Sequence, residues 1–157
     1  MGCAGRGIIA AFEKINELDL FNKYKTDVVL FDVLGDVVCG GFALPIKNGF
    51  ADEVYIVTSG EMMSLFAADN IIKAINNNKS VKSAKFSGLI INKKNILNED
   101  MIVNKASEEM GANIIYRINR DPLIQEAESR GMTVCELYPD SDISKSYKCL
   151  AKMLIEK

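Results

Sequence analysis

The segments of this chain with β-strand character are continuous apolar runs, and stretches with helical spacing separate them. Strands are predicted at residues 27–31, 53–58, 85–92, 113–118 and 133–137. Strands that lack polar alternation are typical of a parallel sheet covered by helices on both faces. The sequence therefore predicts an α/β fold in which a parallel sheet is flanked by helices.

Helix signals precede the first of these strands and follow each strand from 53–58 onward. Helices are predicted at 7–18, 61–77, 99–110, 122–131 and 144–156. Ser59 and Asn98 are candidate caps, and Gly111 is a candidate helix stop. Asp121 followed by Pro122 is a further helix start, because proline suits the first helical position. No linker, repeat or low-complexity segment interrupts this pattern, so we expect a single domain over residues 1–157.

Composition narrows the class of protein. The 157 residues are 48% hydrophobic and 25% charged, with a net charge of −2, which is ordinary for a soluble globular domain. No basic patch indicates a nucleic-acid partner. No apolar run approaches the ~20 residues of a membrane helix, and the amino terminus lacks the apolar region of a signal peptide. We therefore expect a cytoplasmic protein with neither a nucleic-acid nor a membrane partner.

The chain has four cysteines and no histidine. Glycines lie close to Cys3 and Cys39, and a cysteine near a helix N-terminus, as expected for Cys3, favours the thiolate. Cys135 lies in the predicted strand 133–137. Cys149 lies on the last predicted helix, where burial as a small apolar residue is expected. The lack of histidine excludes imidazole metal sites and histidine-based catalysis.

Two carboxylates precede Cys39 in one short loop after the first predicted strand. Asp32 and Asp36 lie where α/β proteins usually place their ligands. One such carboxylate can hold Mg²⁺ through water, and a second can orient or deprotonate an attacking water. A turn with Asx-type hydrogen bonds is the alternative explanation for both residues.

These stretches together resemble the nitrogenase iron protein (dinitrogenase reductase) family. The matching segments are Gly2-Cys3-Ala4-Gly5-Arg6-Gly7, Asp32-Val33-Leu34-Gly35-Asp36-Val37-Val38-Cys39-Gly40-Gly41-Phe42-Ala43, Ser59-Gly60-Glu61-Met62-Met63, Gly88-Leu89-Ile90, Arg120-Asp121 and Met132-Thr133-Val134. The resemblance implies a fold of the P-loop nucleotide-hydrolase type. It also implies an oxidoreductase that passes electrons to a larger metalloenzyme under ATP control.

The resemblance assigns roles to the motif residues. A [4Fe–4S] cluster takes four thiolates, and the family shares one cluster between identical subunits, so Cys3 and Cys39 of each chain are the expected ligands in a homodimer. Asp32 matches a Mg²⁺-associated aspartate, and Asp36 matches a candidate water-activating base. Arg6 matches an arginine at the face that docks the partner enzyme.

The resemblance also implies a nucleotide site. Asn92 matches an asparagine that contacts adenine, while Asp121, Gln125 and Glu128 match further base-side and ribose-side positions. Asp121 is equally well explained as a helix cap. Asn119 stands where the family usually has proline, so the resemblance does not define the exact course of that loop.

The sequence contains no phosphate loop ending in Gly-Lys-Ser/Thr. We therefore expect a family fold without its first strand and phosphate loop, an incomplete ATP–Mg²⁺ site, and no ATP hydrolysis by this chain alone. Strand 27–31 would then be an unpaired sheet edge. The alternatives are a non-catalytic iron–sulfur or interaction module, an inert truncated remnant, and, less favoured, a partition-type ATPase of the same fold.

Overall fold

The computed structural model describes residues 5–33, 35, 50–77 and 84–156. Within these ranges the chain alternates helices and strands. In chain order the elements are α1 (Gly5–Glu17), α2 (Leu20–Lys23), β1 (Glu53–Thr58), α3 (Met62–Asn77), β2 (Lys85–Asn92), α4 (Glu99–Met110), β3 (Ile114–Ile118), α5 (Pro122–Ser129), α6 (Val134–Leu137) and α7 (Asp142–Ile155).

The strands form one sheet in the order β1-β2-β3. Strands β2 and β3 run parallel, with Leu89 opposite Ile114 and Asn92 opposite Ile118, and the register shifts between Leu89 and Ile90. A helix connects each strand to the next, as parallel neighbours require. The predicted parallel α/β fold is confirmed.

Two compact units make up the chain, the first comprising residues 1–55 and 67–87, the second residues 56–66 and 88–157. In the first unit, the Phe12 ring lies 5.3 Å from that of Phe31 and 4.8 Å from that of Phe50, measured between centroids. In the second unit, the core centres on β2 and its helices. Its buried apolar residues include Leu89, Ile91, Val103, Ala127 and Ile143.

The predicted strand at 27–31 is wrong. Residues 27–33 belong to no helix or strand, and the side chains of Val28, Val29 and Leu30 are 45%, 39% and 85% exposed. A strand is stable only when a neighbouring strand pairs with its backbone. The apolar run has the composition of a strand, but this segment has no ladder partner within the described residues.

The predicted strand at 133–137 is also wrong, because these residues start a short helix. The Thr133 side chain accepts a hydrogen bond from the Glu136 N–H, and the Glu136 carboxylate accepts one from the Thr133 N–H at 2.8 Å. This reciprocal capping box satisfies two N–H groups that a helix start leaves unpaired. Cys135 therefore lies on α6 rather than on a strand.

The remaining helices are confirmed, with corrections at their ends. Asp121 caps α5 by accepting a hydrogen bond from the Leu123 N–H at 2.9 Å. Gly111, with φ 62°, ends α4 in the left-handed conformation that glycine tolerates best. The last helix begins at Asp142 under a Ser141 cap. Cys149 is exposed on that helix, so its predicted burial is wrong. No helix among the described residues is long and apolar enough to cross a membrane.

Candidate functional site

Two connections meet at the carboxyl end of the sheet. The turn Ser59-Gly60-Glu61 follows β1, and the loop 93–98 follows β2. Ligands of open parallel sheets bind at this end. The Ser59 hydroxyl accepts a hydrogen bond from the Glu61 N–H at 3.4 Å and donates one to the Glu61 carboxylate at 3.1 Å. The turn is therefore closed by its own polar groups.

The buried carboxylate of Glu99 joins the turn to the loop. This residue is only 3% exposed. Its Oε1 accepts hydrogen bonds from the Gly60 N–H at 3.1 Å and from the Lys94 N–H at 3.0 Å. Its Oε2 accepts from the Lys94 N–H at 3.1 Å and from the Ile96 N–H at 3.3 Å. One side chain at the start of α4 thereby holds both connections.

These hydrogen bonds set the charge state of Glu99. Burial is the largest single influence and acts to raise its pKa, but backbone N–H groups together outweigh it and hold the pKa below its ordinary value of 4.5. Hydrogen bonds to the charged form favour that form. The donors are the N–H groups of Lys94, Gly60, Ile96 and Asn95. Glu99 is therefore a carboxylate at neutral pH.

Residue 60 must be glycine because of this arrangement. A Cβ atom added at Gly60 would lie 2.6 Å from Cγ of Glu99 and 3.1 Å from its Oε1. These distances are shorter than van der Waals contact, so any larger side chain would displace the carboxylate. The glycine and the glutamate form one structural unit across the two connections.

A small open pocket lies between the two connections, with a volume of about 220 Å³. Its walls come from β1, the turn, the start of α3 and the end of β2. The lining residues are Val57, Thr58, Ser59, Glu61, Ser64, Asn92 and Lys94. Thr58 is 5% exposed, and its hydroxyl oxygen is buried with no hydrogen-bond partner among the described residues. Such an unpaired group is unusual in a folded protein.

The residues predicted to contact a nucleotide are partly brought together. Asn92 lines the pocket, and it lies opposite Ile118 at the end of β3. Asp121 follows Ile118 by three positions, so Asn92 and Asp121 lie at the same end of the sheet. Gln125 and Glu128 are exposed on α5, and neither lines the pocket. The structure therefore groups Asn92 with residues such as Thr58 and Lys94, which were not predicted to contact a nucleotide.

The other predicted site residues are not assembled by the described structure. Asp32 is exposed in the segment 27–33, which is not a strand. Cys3, Asp36 and Cys39 lie outside the described residues, and of Arg6 only the backbone, in α1, is described. Within the described part of the chain, no group of three or more cysteines or carboxylates could hold a metal ion.

Sequence reasoning missed the residues that organise this site. The sequence indicated Glu99 only as the first residue of a helix, and it assigned no role to Thr58 or Lys94. A glutamate that opens a helix directly after a strand-end loop is a usable signal, since its carboxylate can accept hydrogen bonds from N–H groups of that loop, as it does from Lys94 and Ile96. The reach to Gly60 is a tertiary contact that no local pattern contains.

The chain is a parallel α/β protein with a polar pocket at the carboxyl ends of its strands. A ParA family ATPase from Chlorobium tepidum TLS has a similar structure, with a TM-score of 0.56 at 23% sequence identity. The similarity covers 69% of this chain and 43% of that one. It shows that the two chains share a parallel α/β fold.

Sequence comparison identifies the family within that class. The chain belongs to the NifH/frxC family of 4Fe-4S iron sulfur cluster binding proteins, whose model matches residues 1–157. It is 46% identical over 157 residues to the nitrogenase iron protein of Methanospirillum hungatei JF-1, covering 99% of this chain and 55% of that protein. It is 42% identical over 155 residues to nitrogenase iron protein 2 of Methanothermococcus thermolithotrophicus, covering 99% and 53%. The chain thus spans about half the length of these curated relatives.

Proposed function

We propose that this chain belongs to a nitrogenase iron protein-like reductase, in which ATP controls electron transfer to a larger metalloenzyme. The observation that carries the proposal is the family match over residues 1–157. That range includes both cysteines predicted as cluster ligands. The chain is therefore proposed to be part of a cytoplasmic oxidoreductase subunit.

Cys3 and Cys39 are the proposed cluster ligands. Two thiolates per chain meet the requirement for four only if two copies associate, so the proposed assembly is a homodimer with one [4Fe–4S] cluster between its subunits. When bound, such a cluster supplies single-electron transfer. Arg6 is proposed to lie at the docking face, where a cation would meet an acidic surface of the partner enzyme.

The proposed nucleotide is ATP with Mg²⁺. Asn92 supports this assignment, because it lines a polar pocket at the end of the sheet where nucleotides bind in this fold. Asp121, Gln125 and Glu128 remain proposed as further nucleotide contacts. Asp32 and Asp36 remain proposed as the Mg²⁺-associated and water-activating carboxylates, acting in a nucleotide-dependent switch. Catalysis by this chain alone is not proposed.

The test is anaerobic iron–sulfur reconstitution, with iron content, visible absorption and native mass measured together. We expect about two irons per chain in a dimer, since four irons are shared by two chains. Cys3→Ser and Cys39→Ser should each abolish cluster binding. Cys149→Ser is the matched control, because Cys149 is exposed on α7 and should load as the wild type does.

Two other outcomes would change the proposal. A colourless monomer after reconstitution would contradict the electron-carrier function. A cluster-loaded dimer whose absorption and circular dichroism do not respond to MgATP would favour the alternative, an iron–sulfur module without nucleotide control. The proposed single domain over residues 1–157 predicts one cooperative transition in urea, and two separate transitions would contradict it.

A further inference from the structure

The loop that follows β2, residues 93–98, depends on one neighbouring side chain for its conformation. The exposed residues of this loop are Lys94, Asn95, Leu97 and Asn98. Asn95 and Asn98 also adopt the left-handed backbone conformation, with φ 60° and 58°, which is uncommon for residues other than glycine. Because burial and backbone preference contribute little here, the loop needs its hydrogen bonds to the Glu99 carboxylate to keep this shape.

Asn92, which the family resemblance predicts as an adenine contact, lies directly before this loop. The Lys93 N–H donates a hydrogen bond to the Ile118 carbonyl at 2.9 Å and so continues the pairing of β2 with β3. The Lys94 N–H donates to both carboxylate oxygens of Glu99, at 3.0 and 3.1 Å. Of the two residues that follow Asn92, one is therefore fixed by the neighbouring strand and the other by Glu99.

The same carboxylate connects the loop to the turn after β1. Its Oε1 accepts a hydrogen bond from the Gly60 N–H at 3.1 Å, and a Cβ atom at residue 60 would lie 2.6 Å from Cγ of Glu99. Both residues belong to the second compact unit, residues 56–66 and 88–157. Each of the two oxygens accepts from backbone N–H groups, and an amide side chain has only one such oxygen. The connection therefore requires a carboxylate opposite a glycine.

We propose that Glu99 is a positioning residue of the proposed nucleotide site: it holds the loop 93–98 to the turn after β1 and thereby presents the Asn92 side chain to the adenine base. This inference rests on the proposed nucleotide-binding function and extends it to a residue that touches no nucleotide. Asp121, another proposed nucleotide contact, lies at the same end of the sheet as Asn92. A residue held in place before binding lowers the entropic cost of binding.

The experiment measures MgADP affinity by isothermal titration, under conditions in which circular dichroism shows each protein to be folded. Glu99→Gln keeps the size of the side chain but loses one acceptor oxygen. It should weaken binding about three- to tenfold, the loss expected if the loop is in its binding conformation only about a third to a tenth of the time. Glu109→Gln is the matched control, because Glu109 is exposed on the same helix, and it should stay within about twofold of wild type.

A double variant shows whether Glu99 acts through Asn92. Asn92→Ala alone should weaken binding, and Asn92→Ala/Glu99→Gln should bind no more weakly than Asn92→Ala, because a displaced loop cannot weaken a contact that is already absent. A general loss of structure would instead add to the effect of Asn92→Ala. Wild-type affinity in Glu99→Gln, or additive free-energy losses in the double variant, would overturn the inference and leave the proposed function intact.

Gly60→Ala provides a second variant should Glu99→Gln fail to fold. The added Cβ atom displaces the carboxylate, so Gly60→Ala should also weaken MgADP binding and should add nothing to the loss in Asn92→Ala. Undiminished affinity in Gly60→Ala would contradict the inference. If the wild type binds no MgADP, the proposed nucleotide function of this chain fails, and the inference fails with it.

Discussion

Two apolar runs of this protein differ in burial: one is a core strand, and the other is exposed and belongs to no strand. In β2, Leu89 and Ile91 are fully buried, at 0% exposure, and β3 pairs with the strand. In the segment 27–33, Leu30 is 85% exposed and belongs to no strand. Both segments contain a continuous apolar run, Val28-Val29-Leu30-Phe31 in one and Leu89-Ile90-Ile91 in the other. The difference shows that an apolar run becomes a core strand only when other elements supply ladder partners and cover its faces.

The largest expected effect comes from truncating the same residue type in the two runs. Leu89→Ala should lower the free energy of unfolding by about 2–5 kcal/mol, because it leaves a cavity in a closed core. Leu30→Ala is the matched control and should change it by less than about 0.5 kcal/mol. Urea unfolding followed by circular dichroism measures both. Equal losses would show that the segment 27–33 is buried in solution, which would break the comparison.

The next effect concerns the tether at the carboxyl end of the sheet. Glu99→Ala should lower the free energy of unfolding by about 2–4 kcal/mol, because buried N–H groups lose their acceptor. Glu109→Ala is the control on the same helix, since its side chain is 69% exposed, and it should cost less than about 0.5 kcal/mol. A loss for Glu99→Ala no larger than the control's would mean that the tether is not formed.

Gly60 provides an independent test of the same contact. Gly60→Ala should destabilise the protein, because the new Cβ atom would lie 2.6 Å from Cγ of Glu99. In the double variant Gly60→Ala/Glu99→Ala the steric conflict is absent. Its loss in the free energy of unfolding should therefore be smaller than the sum of the losses of the two single variants. A double-mutant cycle in urea measures this coupling. Strict additivity would contradict direct contact between the two residues.

The pH dependence of stability tests the charge on Glu99. A carboxylate with a lowered pKa stabilises the folded state above its ordinary value of 4.5 and loses that contribution as pH falls through the lowered value. We expect the urea midpoint of the wild type to fall more steeply between neutral and acidic pH than that of Glu99→Gln, which cannot titrate. Parallel pH profiles for the two proteins would contradict a lowered pKa.

The smallest expected effect on stability comes from the capping box of α6, which consists of local contacts alone. Thr133→Ala removes one half of the capping box of α6 and should cost about 1 kcal/mol. Thr133→Ser keeps the hydroxyl and should cost only a few tenths of that amount. Thermal melting measures the difference. If the alanine variant matched the wild type, the capping box would not contribute to stability.

Several elements were predictable because their signals are local. The bounds of β2 and α4, residues 85–92 and 99–110, agree with the prediction, since continuous apolar residues and Gly111 mark them. The start of α5 was also predicted, because Asp121 and Pro122 form a strong capping signal. In contrast, residues 133–137 were misassigned as a strand. Their apolar composition is typical of a strand, but the spacing of Thr133 and Glu136 specifies a capping box and therefore a helix start.

The candidate site was only partly predictable. The family resemblance predicts Asn92 as a nucleotide contact, and the structure places it in a polar pocket. The role of Glu99 is not predictable from the sequence, because it depends on the contact with Gly60 across the sheet. Asn98 was predicted to cap α4 with its side chain, but it makes no such hydrogen bond. Glu99, one position later, instead accepts hydrogen bonds from the N–H groups of Lys94 and Ile96 in the preceding loop.

The sequence by itself determined the family, the parallel α/β class and most helix and strand positions, because motifs, periodicity and caps are properties of neighbouring residues. Tertiary structure alone decided which apolar runs are buried and which polar groups share a site. Burial depends on area covered by distant elements, and the Glu99–Gly60 contact joins residues 39 positions apart. Such contacts leave no periodic signal in the chain, because the residues around each partner reflect only the local helix, strand or turn to which that partner belongs.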